Sequence, residues 1–385
     1  MHPVINWTEA GSECAARWRS ESGMPPPKRV SIADDTMRAD MAYRLACEGT
    51  ALLWRGDFQN AKQLLQAMSR RADRKPRKPL VEGTPAAPGA AFRLHRQAQL
   101  QRARTLAMIL IPLDSDCTIP LRRAPDIRQA CIEAYGECSG PSVVALRELL
   151  GLVGAHEWRK KGVEIPALGD GGAGARIHPH YGVFSPVRGE YVELVNTAPL
   201  PQKFPEPELA FDIGTGTGVL AAVLARRGVK RIVATDHDPR ALACARENIA
   251  RLGLDKQVEI VHADLFPAGR APLVVCNPPW IPARPSSPIE HAIFDPDSRM
   301  LRGFVGGLAE HLEPGGEGWL VLSDIAEHLG LRTREELLGL FATSGLRVIE
   351  RIDVRPHHAK VADETDPLHA ARAAEVTSLW KLAVR

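Results

Sequence analysis

Residues 211–218, Phe-Asp-Ile-Gly-Thr-Gly-Thr-Gly, decide the fold of this chain. An apolar run leads into them and the helical pattern VLAAVLARRG follows at 219–228, so they read as a strand, a glycine turn and a helix start. Glycines there let a ligand approach the backbone closely at the carboxyl end of a first strand. Taken alone, the spacing also suits a dinucleotide site or a plain tight turn. The segments on either side choose among these.

Downstream, strand-like runs alternate with helical ones: RIVATD (231–236), RALACARENIARLG (240–253), VEIVHAD (258–264), PLVVCNPP (272–279), MLRGFVGGLAEHL (300–312) and GWLVLSD (318–324). A helix over 333–344 and the runs LRVIERIDV (346–354) and TSLWKLAV (377–384) complete the series. Such alternation predicts an α/β, doubly wound, mostly parallel sheet over residues 176–385. The unbroken apolar run PLVVC suits a strand covered on both faces. Asp236 ends the second strand, where a carboxylate accepts hydrogen bonds from both hydroxyls of a ribose. Asp264 ends the third, within reach of an adenine amino group. Either acid also suits the start of an ordinary surface loop.

Asn277-Pro278-Pro279-Trp280 follows the fourth strand, at the rim where ligands of this architecture bind. The Asn277 side-chain oxygen and the Pro278 carbonyl can both accept from one NH2 group. Two such acceptors draw its hydrogens aside and leave the nitrogen lone pair facing an electrophile. Prolines hold that backbone fixed and bring no amide donors. The Trp280 ring offers a flat face to a planar amide or base.

In this order, DIGTGTG, the two strand-end acids and NPPW resemble class I S-adenosylmethionine-dependent methyltransferases. Within them, NPPW is similar to the motif of enzymes that methylate planar nitrogens: HemK/PrmC-like protein-glutamine methyltransferases and small-domain RNA and DNA N-methyltransferases. The resemblance implies a seven-stranded Rossmann-like sheet whose last strand, TSLWKLAV, runs antiparallel. It implies S-adenosyl-L-methionine as cofactor, with Asp212, Gly214, Thr215, Gly216 and Gly218 on its methionine side. Asp236 and His237 then face its ribose, Asp264 and Leu265 its adenine, and Asn277 through Trp280 hold the target, with Asn277 bordering both. Glutamine methyltransferases usually carry tyrosine at the place of Trp280, and a Pro-Arg-Pro-Glu-Thr-Glu stretch before the glycine motif. This chain has Tyr181-Gly-Val-Phe-Ser-Pro-Val-Arg-Gly-Glu-Tyr191 there, closer to the Gly-Val-Phe-Ser of small-domain ribosomal RNA enzymes. Phe184, Pro186 and Glu190 would cover the methionine end of the cofactor.

The remaining sequence frames that domain. Its 385 residues allow two domains. Residues 1–168 read as a mainly helical, basic substrate-recognition domain, with a Pro-rich linker over 73–90 and a boundary at the glycine cluster 169–175. The basic run from Arg70 to Lys78 suits either a nucleic-acid phosphate backbone or a solvated linker. Seven cysteines, an odd number with no CxxC pair, speak against a zinc ribbon and a disulfide framework. With no signal-like leader and no apolar run of membrane length, the chain reads as cytoplasmic, with no membrane partner. His357, His358 and His369 near the last strand match no standard metal-ligand spacing, and no metal is expected. The reading is therefore an N-methyltransferase acting on a protein glutamine or on RNA, a ribonucleoprotein or DNA. A small-molecule acceptor, or a cofactor-binding protein without turnover, is the alternative. An NAD-dependent oxidoreductase shares the glycine loop and strand-end acid, but leaves NPPW unexplained.

Overall fold

The computed structural model describes residues 3–74, 89–169, 175–203, 207–286, 288–356 and 366–385. The chain divides into two compact units, Met1–Ala86 with Arg93–Glu157, and Ala87–Phe92 with Trp158–Arg385. The boundary expected in the glycine cluster thus moves to Glu157–Trp158.

The first unit is built on a six-stranded sheet in the order β1-β2-β6-β5-β4-β3. Its strands are β1 (Val4–Glu9), β2 (Ser12–Arg19), β3 (Arg29–Ala33), β4 (Thr50–Trp54), β5 (Ile109–Leu113) and β6 (Ser142–Ala145). Helices α1 (Ala39–Cys47), α2 (Phe58–Arg74), α3 (Ala90–Leu106), α4 (Arg128–Tyr135) and α5 (Leu146–Lys161) connect or follow them. The expectation of a mainly helical N-terminal domain is corrected by this sheet. Leu52 and Leu53, within the region expected to be mainly helical, lie instead in β4, which Gly49 (φ 82°) separates from α1. Runs such as ALLW, ILIPL and SVVA are four or five residues long and, Ser142 apart, apolar. Over so few residues a helical and a strand period cannot be told apart. Most of the expected linker, residues 75–88, lies outside the described residues. Arg71 pairs with Asp40 at 2.7 Å, Arg123 with buried Asp57 at 2.6 Å and Arg122 with Asp35 at 3.2 Å. Cys117 and Cys138 are joined by a disulfide, which corrects the expectation drawn from the odd cysteine count.

The second unit begins with a two-stranded ribbon, β7 (Val163–Glu164) and β8 (Arg176–Ile177), and helix α6 (Glu190–Thr197). Strands β9 (Leu209–Ile213), β10 (Arg231–Asp236), β11 (Val258–His262), β12 (Ala271–Cys276), β13 (Leu312–Ser323), β14 (Leu346–Val354) and β15 (Thr377–Val384) form one sheet. Its order is β11-β10-β9-β12-β13-β15-β14, parallel except for β15, which pairs antiparallel with both neighbours. Helices α7 (Val219–Arg226), α8 (Pro239–Arg251), α9 (Arg299–His311), α10 (Ile325–His328), α11 (Arg334–Thr343) and α12 (His369–Ala374) complete the unit. This is the seven-stranded architecture with an antiparallel last strand that the family resemblance implies. No helix among the described residues is long and apolar enough to cross a membrane.

Side-chain alternation along the strands separates two cores. Ala210, Leu273, Val275, Trp319 and Val321 pack with α6, α7 and Ile249 of α8. Phe211, Val274, Cys276, Leu320 and Leu322 pack with α9 and with Leu337 and Phe341 of α11. Successive strand residues point to opposite faces, so a run apolar at every position, such as Leu273–Cys276, feeds both. Phe304 of α9 is fully buried and stacks on Phe266 with ring centroids 5.8 Å apart. Phe304→Ala should therefore cost about 3–5 kcal/mol of stability. Urea unfolding followed by circular dichroism checks this, and a loss below about 1 kcal/mol would contradict the packing described.

Candidate functional site

The parallel register brings the carboxyl ends of β9, β10 and β12 to one rim. At the first, the glycine turn is shaped from beneath by Asp212. Its carboxylate is buried, and Oδ2 accepts from Thr215 Oγ1 at 2.6 Å and from the Ala221 amide at 3.0 Å. The Thr215 amide donates to the Thr235 carbonyl of β10. Gly214, Gly216 and Gly218 hold φ of 72°, 57° and 83°, a left-handed region that a Cβ disfavours. Asp212 thus faces the protein and sets the loop, while Thr215 and Thr217 are buried within the turn.

At the second strand end, Asp236 Oδ2 accepts from the Gly216 amide at 3.0 Å, and Oδ1 from the Asp238 amide at 2.9 Å. Asp238 in turn caps α8, accepting from the Arg240 amide. The Asp236 side chain therefore sits across the glycine loop from β9. His237 lies 3.8 Å from it with its ring largely exposed. Asp264 is exposed and paired with Arg299 at 2.7 Å, an ion pair the sequence did not suggest. Leu265 (φ 80°) receives the Thr235 hydroxyl on its carbonyl.

Asn277–Trp280 leaves the end of β12. The Trp280 indole Nε1 donates to Asn277 Oδ1 at 2.9 Å, occupying one of its two lone pairs. The indole itself is half-buried against both cores and against the cluster of Phe294, Ile325, Leu329 and Leu368. Asp295, also buried, caps the start of α9 through the Met300 and Leu301 amides. Burial raises its carboxyl above the ordinary range, against those backbone bonds.

Phe184 packs on the first core and Pro186 is buried. Two buried oxygens of the same segment, Ser185 Oγ and Glu190 Oε1, have no hydrogen-bond partner among the described residues, although Arg188 Nε lies 4.0 Å from Glu190 Oε1. A buried carboxylate oxygen without a donor is costly, and a cationic or NH-bearing ligand group would satisfy it. Gly216 leaves open space where a Cβ would stand, whereas Met300 Cε fills that place at Gly214, so acceptors of the kind an ammonium-bearing cofactor end needs are matched by open backbone at Gly216 alone. Sequence reasoning did not single out Arg188 and Glu375, whose contact spans distant chain segments. Of the histidine-bearing stretch 355–369, residues 357–365 lie outside the described residues. Among the described residues no group of three or more His, Cys, Asp or Glu could hold a metal.

The methyltransferase small domain family matches residues 174–343. A ribosomal protein L11 methyltransferase of Sorangium cellulosum is 35% identical over 148 residues, 38% of this chain and 39% of that protein. A Methanocaldococcus jannaschii protein, named provisionally as a protein N5-glutamine methyltransferase, is 30% identical over 37% of this chain and 71% of its own length. The tRNA1(Val) (adenine(37)-N6)-methyltransferase of Bacteroides thetaiotaomicron is 31% identical over 36% of this chain and 62% of that enzyme. The chain thus spans about two fifths of the first of these relatives.

The Asp212 carboxyl carries a testable signature. Burial, helped by the negative charge of Asp236, pushes it up to about 6, against the bonds from Thr215 and Ala221. The folded state then holds this proton more tightly than the unfolded chain, whose value is near 3.8. This contribution to stability is present below 3.8 and is lost as pH rises through about 6. Asp212→Asn should lack that loss. The urea midpoint of the wild type, measured against the variant, should fall between about pH 4 and pH 6 and level off above about pH 7. A constant difference over this range would show that the carboxyl titrates normally.

Proposed function

We propose that this chain, which belongs to the methyltransferase small domain family, is an S-adenosylmethionine-dependent N-methyltransferase acting on a planar NH2 nitrogen. The observation that carries the reading is the Trp280–Asn277 hydrogen bond at the rim of β12, beside the glycine loop. Family membership rests on the matched residues 174–343 and on the relative covered over 71% of its length.

The cofactor, when bound, supplies an electrophilic methyl on a sulfonium. Gly216 would leave the backbone open to it, Glu190 Oε1 would meet its ammonium, and Asp236, now bonded to the Gly216 amide, would accept from the ribose hydroxyls. The bond from Trp280 fixes the direction of Asn277 Oδ1. Its second lone pair and the Pro278 carbonyl then accept the two hydrogens of an acceptor NH2. Held in this way, the nitrogen lone pair would be left free to face the methyl donor, and positioning of this kind supplies much of a rate enhancement. The proton of the methylated nitrogen leaves to water, so no strong base is needed.

Both acceptor classes retain support. Relatives are named for a protein glutamine and for a tRNA adenine, both planar nitrogens. The N-terminal region, residues 1–168, is proposed to select between them, and the protein to work in the cytoplasm. Incubation with methyl-labelled cofactor and lysate of a deletion strain, split into protein, RNA and small-molecule fractions, tests the reading. Label in protein or RNA supports it, and label in small molecules moves it to the alternative acceptor class. Cofactor binding without any labelling would leave a binding protein.

Two variants divide cofactor binding from transfer. Asp236→Ala should weaken S-adenosylhomocysteine binding by about 1–3 kcal/mol, the scale of a charged hydrogen-bonding group. Asn277→Ala should abolish most turnover while calorimetry finds cofactor affinity close to wild type. Loss of cofactor affinity in Asn277→Ala would remove these residues from the acceptor side.

A further inference from the structure

Trp280 is held on one side by a chain of charges that the sequence does not reveal. The Arg188 guanidinium lies over the Trp280 ring, 5.9 Å from its centroid. Arg188 Nη1 donates to Glu375 Oε1 at 3.3 Å, and Ser323 Oγ donates to the same oxygen at 2.8 Å. Glu375 is 3% exposed, so its carboxylate depends on these donors. Its segment is tied down by reciprocal bonds: the Asp324 amide to the Val376 carbonyl, and the Val376 amide to Asp324 Oδ1 at 2.7 Å. Ser323 also accepts from the Ile325 amide, which fixes its hydroxyl at the end of β13. On its other flank, Arg188 Nε stands 4.0 Å from Glu190 Oε1, an oxygen without a hydrogen-bond partner among the described residues.

Arg188 therefore stands between the carboxylate assigned to the cofactor's ammonium and the indole assigned to the acceptor. We propose that Arg188 is a positioning residue, anchored by Glu375, that fixes the Trp280 indole so the acceptor plane stacks on the face opposite the guanidinium. This rests on the N-methyltransferase reading above. A cation over one face of a tryptophan is attracted by the ring quadrupole, more strongly where both are partly desolvated. With one face covered, the ring presents only the other to an amide or base. The Nε1–H bond to Asn277 sets the rotation of the ring within its plane, and Arg188 sets the plane. Both degrees of freedom are then restricted before an acceptor arrives, which lowers the cost of ordering it.

Arg188→Met, which keeps bulk and removes charge, tests this against Arg188→Lys and Glu375→Gln. The readouts are acrylamide quenching of Trp280, taken as each protein minus its Trp280→Phe counterpart, S-adenosylhomocysteine affinity, and KM and kcat on the labelled fraction. Arg188→Met should increase quenching and raise the acceptor KM about tenfold, with kcat changed less. Arg188→Lys should recover part of both, and Glu375→Gln should follow Arg188→Met. If Glu375→Gln does not fold, the Arg188 pair carries the test alone. Trp280 quenching unchanged in Arg188→Met would overturn the proposal, as would an unchanged acceptor KM. Absence of methyl transfer by the wild type, with the quenching change intact, would overturn the enzymatic reading and leave the indole anchor standing.

Discussion

A buried carboxylate at the end of β9 is the interaction on which the rest of the site depends. Asp212 holds Thr215 by its hydroxyl and the first turn of α7 by the Ala221 amide, so the loop between cannot relax outward. Its geometry puts the Gly216 amide in reach of Asp236, and Asp236 in turn orders the start of α8 through Asp238. One acid inside the protein thus sets a strand end, a loop and two helix starts. Its raised affinity for a proton is the cost of that burial. Glycine's tolerance of positive φ lets the chain turn so sharply around it.

The sheet supplies the second constraint. Strands running the same way end at the same edge, so the loops after β9, β10 and β12 converge although Asn277 lies 64 positions beyond Ile213. β13 ends beside β12 and carries Ser323 and Asp324 to the same edge. The antiparallel β15 is preceded by Glu375, so its insertion between β13 and β14 brings that acid back to the rim. Arg188, arriving from the segment before α6, meets it there.

Much of the second unit was legible in the sequence. Strands β9 and β11 are as short as five residues, but the 13-residue helices α8 and α9 that alternate with the strands show their period, and DIGTGTG and NPPW lie within single short segments whose backbone chemistry is local. The first unit was less legible because ALLW, ILIPL and SVVA are too short to show a period. Its six-stranded sheet is held by pairings between distant segments, such as β2 with β6, that no local pattern announces.

The sequence by itself determined which residues stand at the strand ends, because glycine, proline and aspartate act on their own backbone. Tertiary structure alone decided which way their side chains face. Asp212 turns inward to the loop, Asn277 receives the Trp280 indole, and Asp264 pairs with Arg299. It also decided that Arg188 and Glu375 meet beside Trp280. A side chain's partner depends on which segments the sheet order brings together, and that order is a property of the packed chain rather than of any one stretch of it.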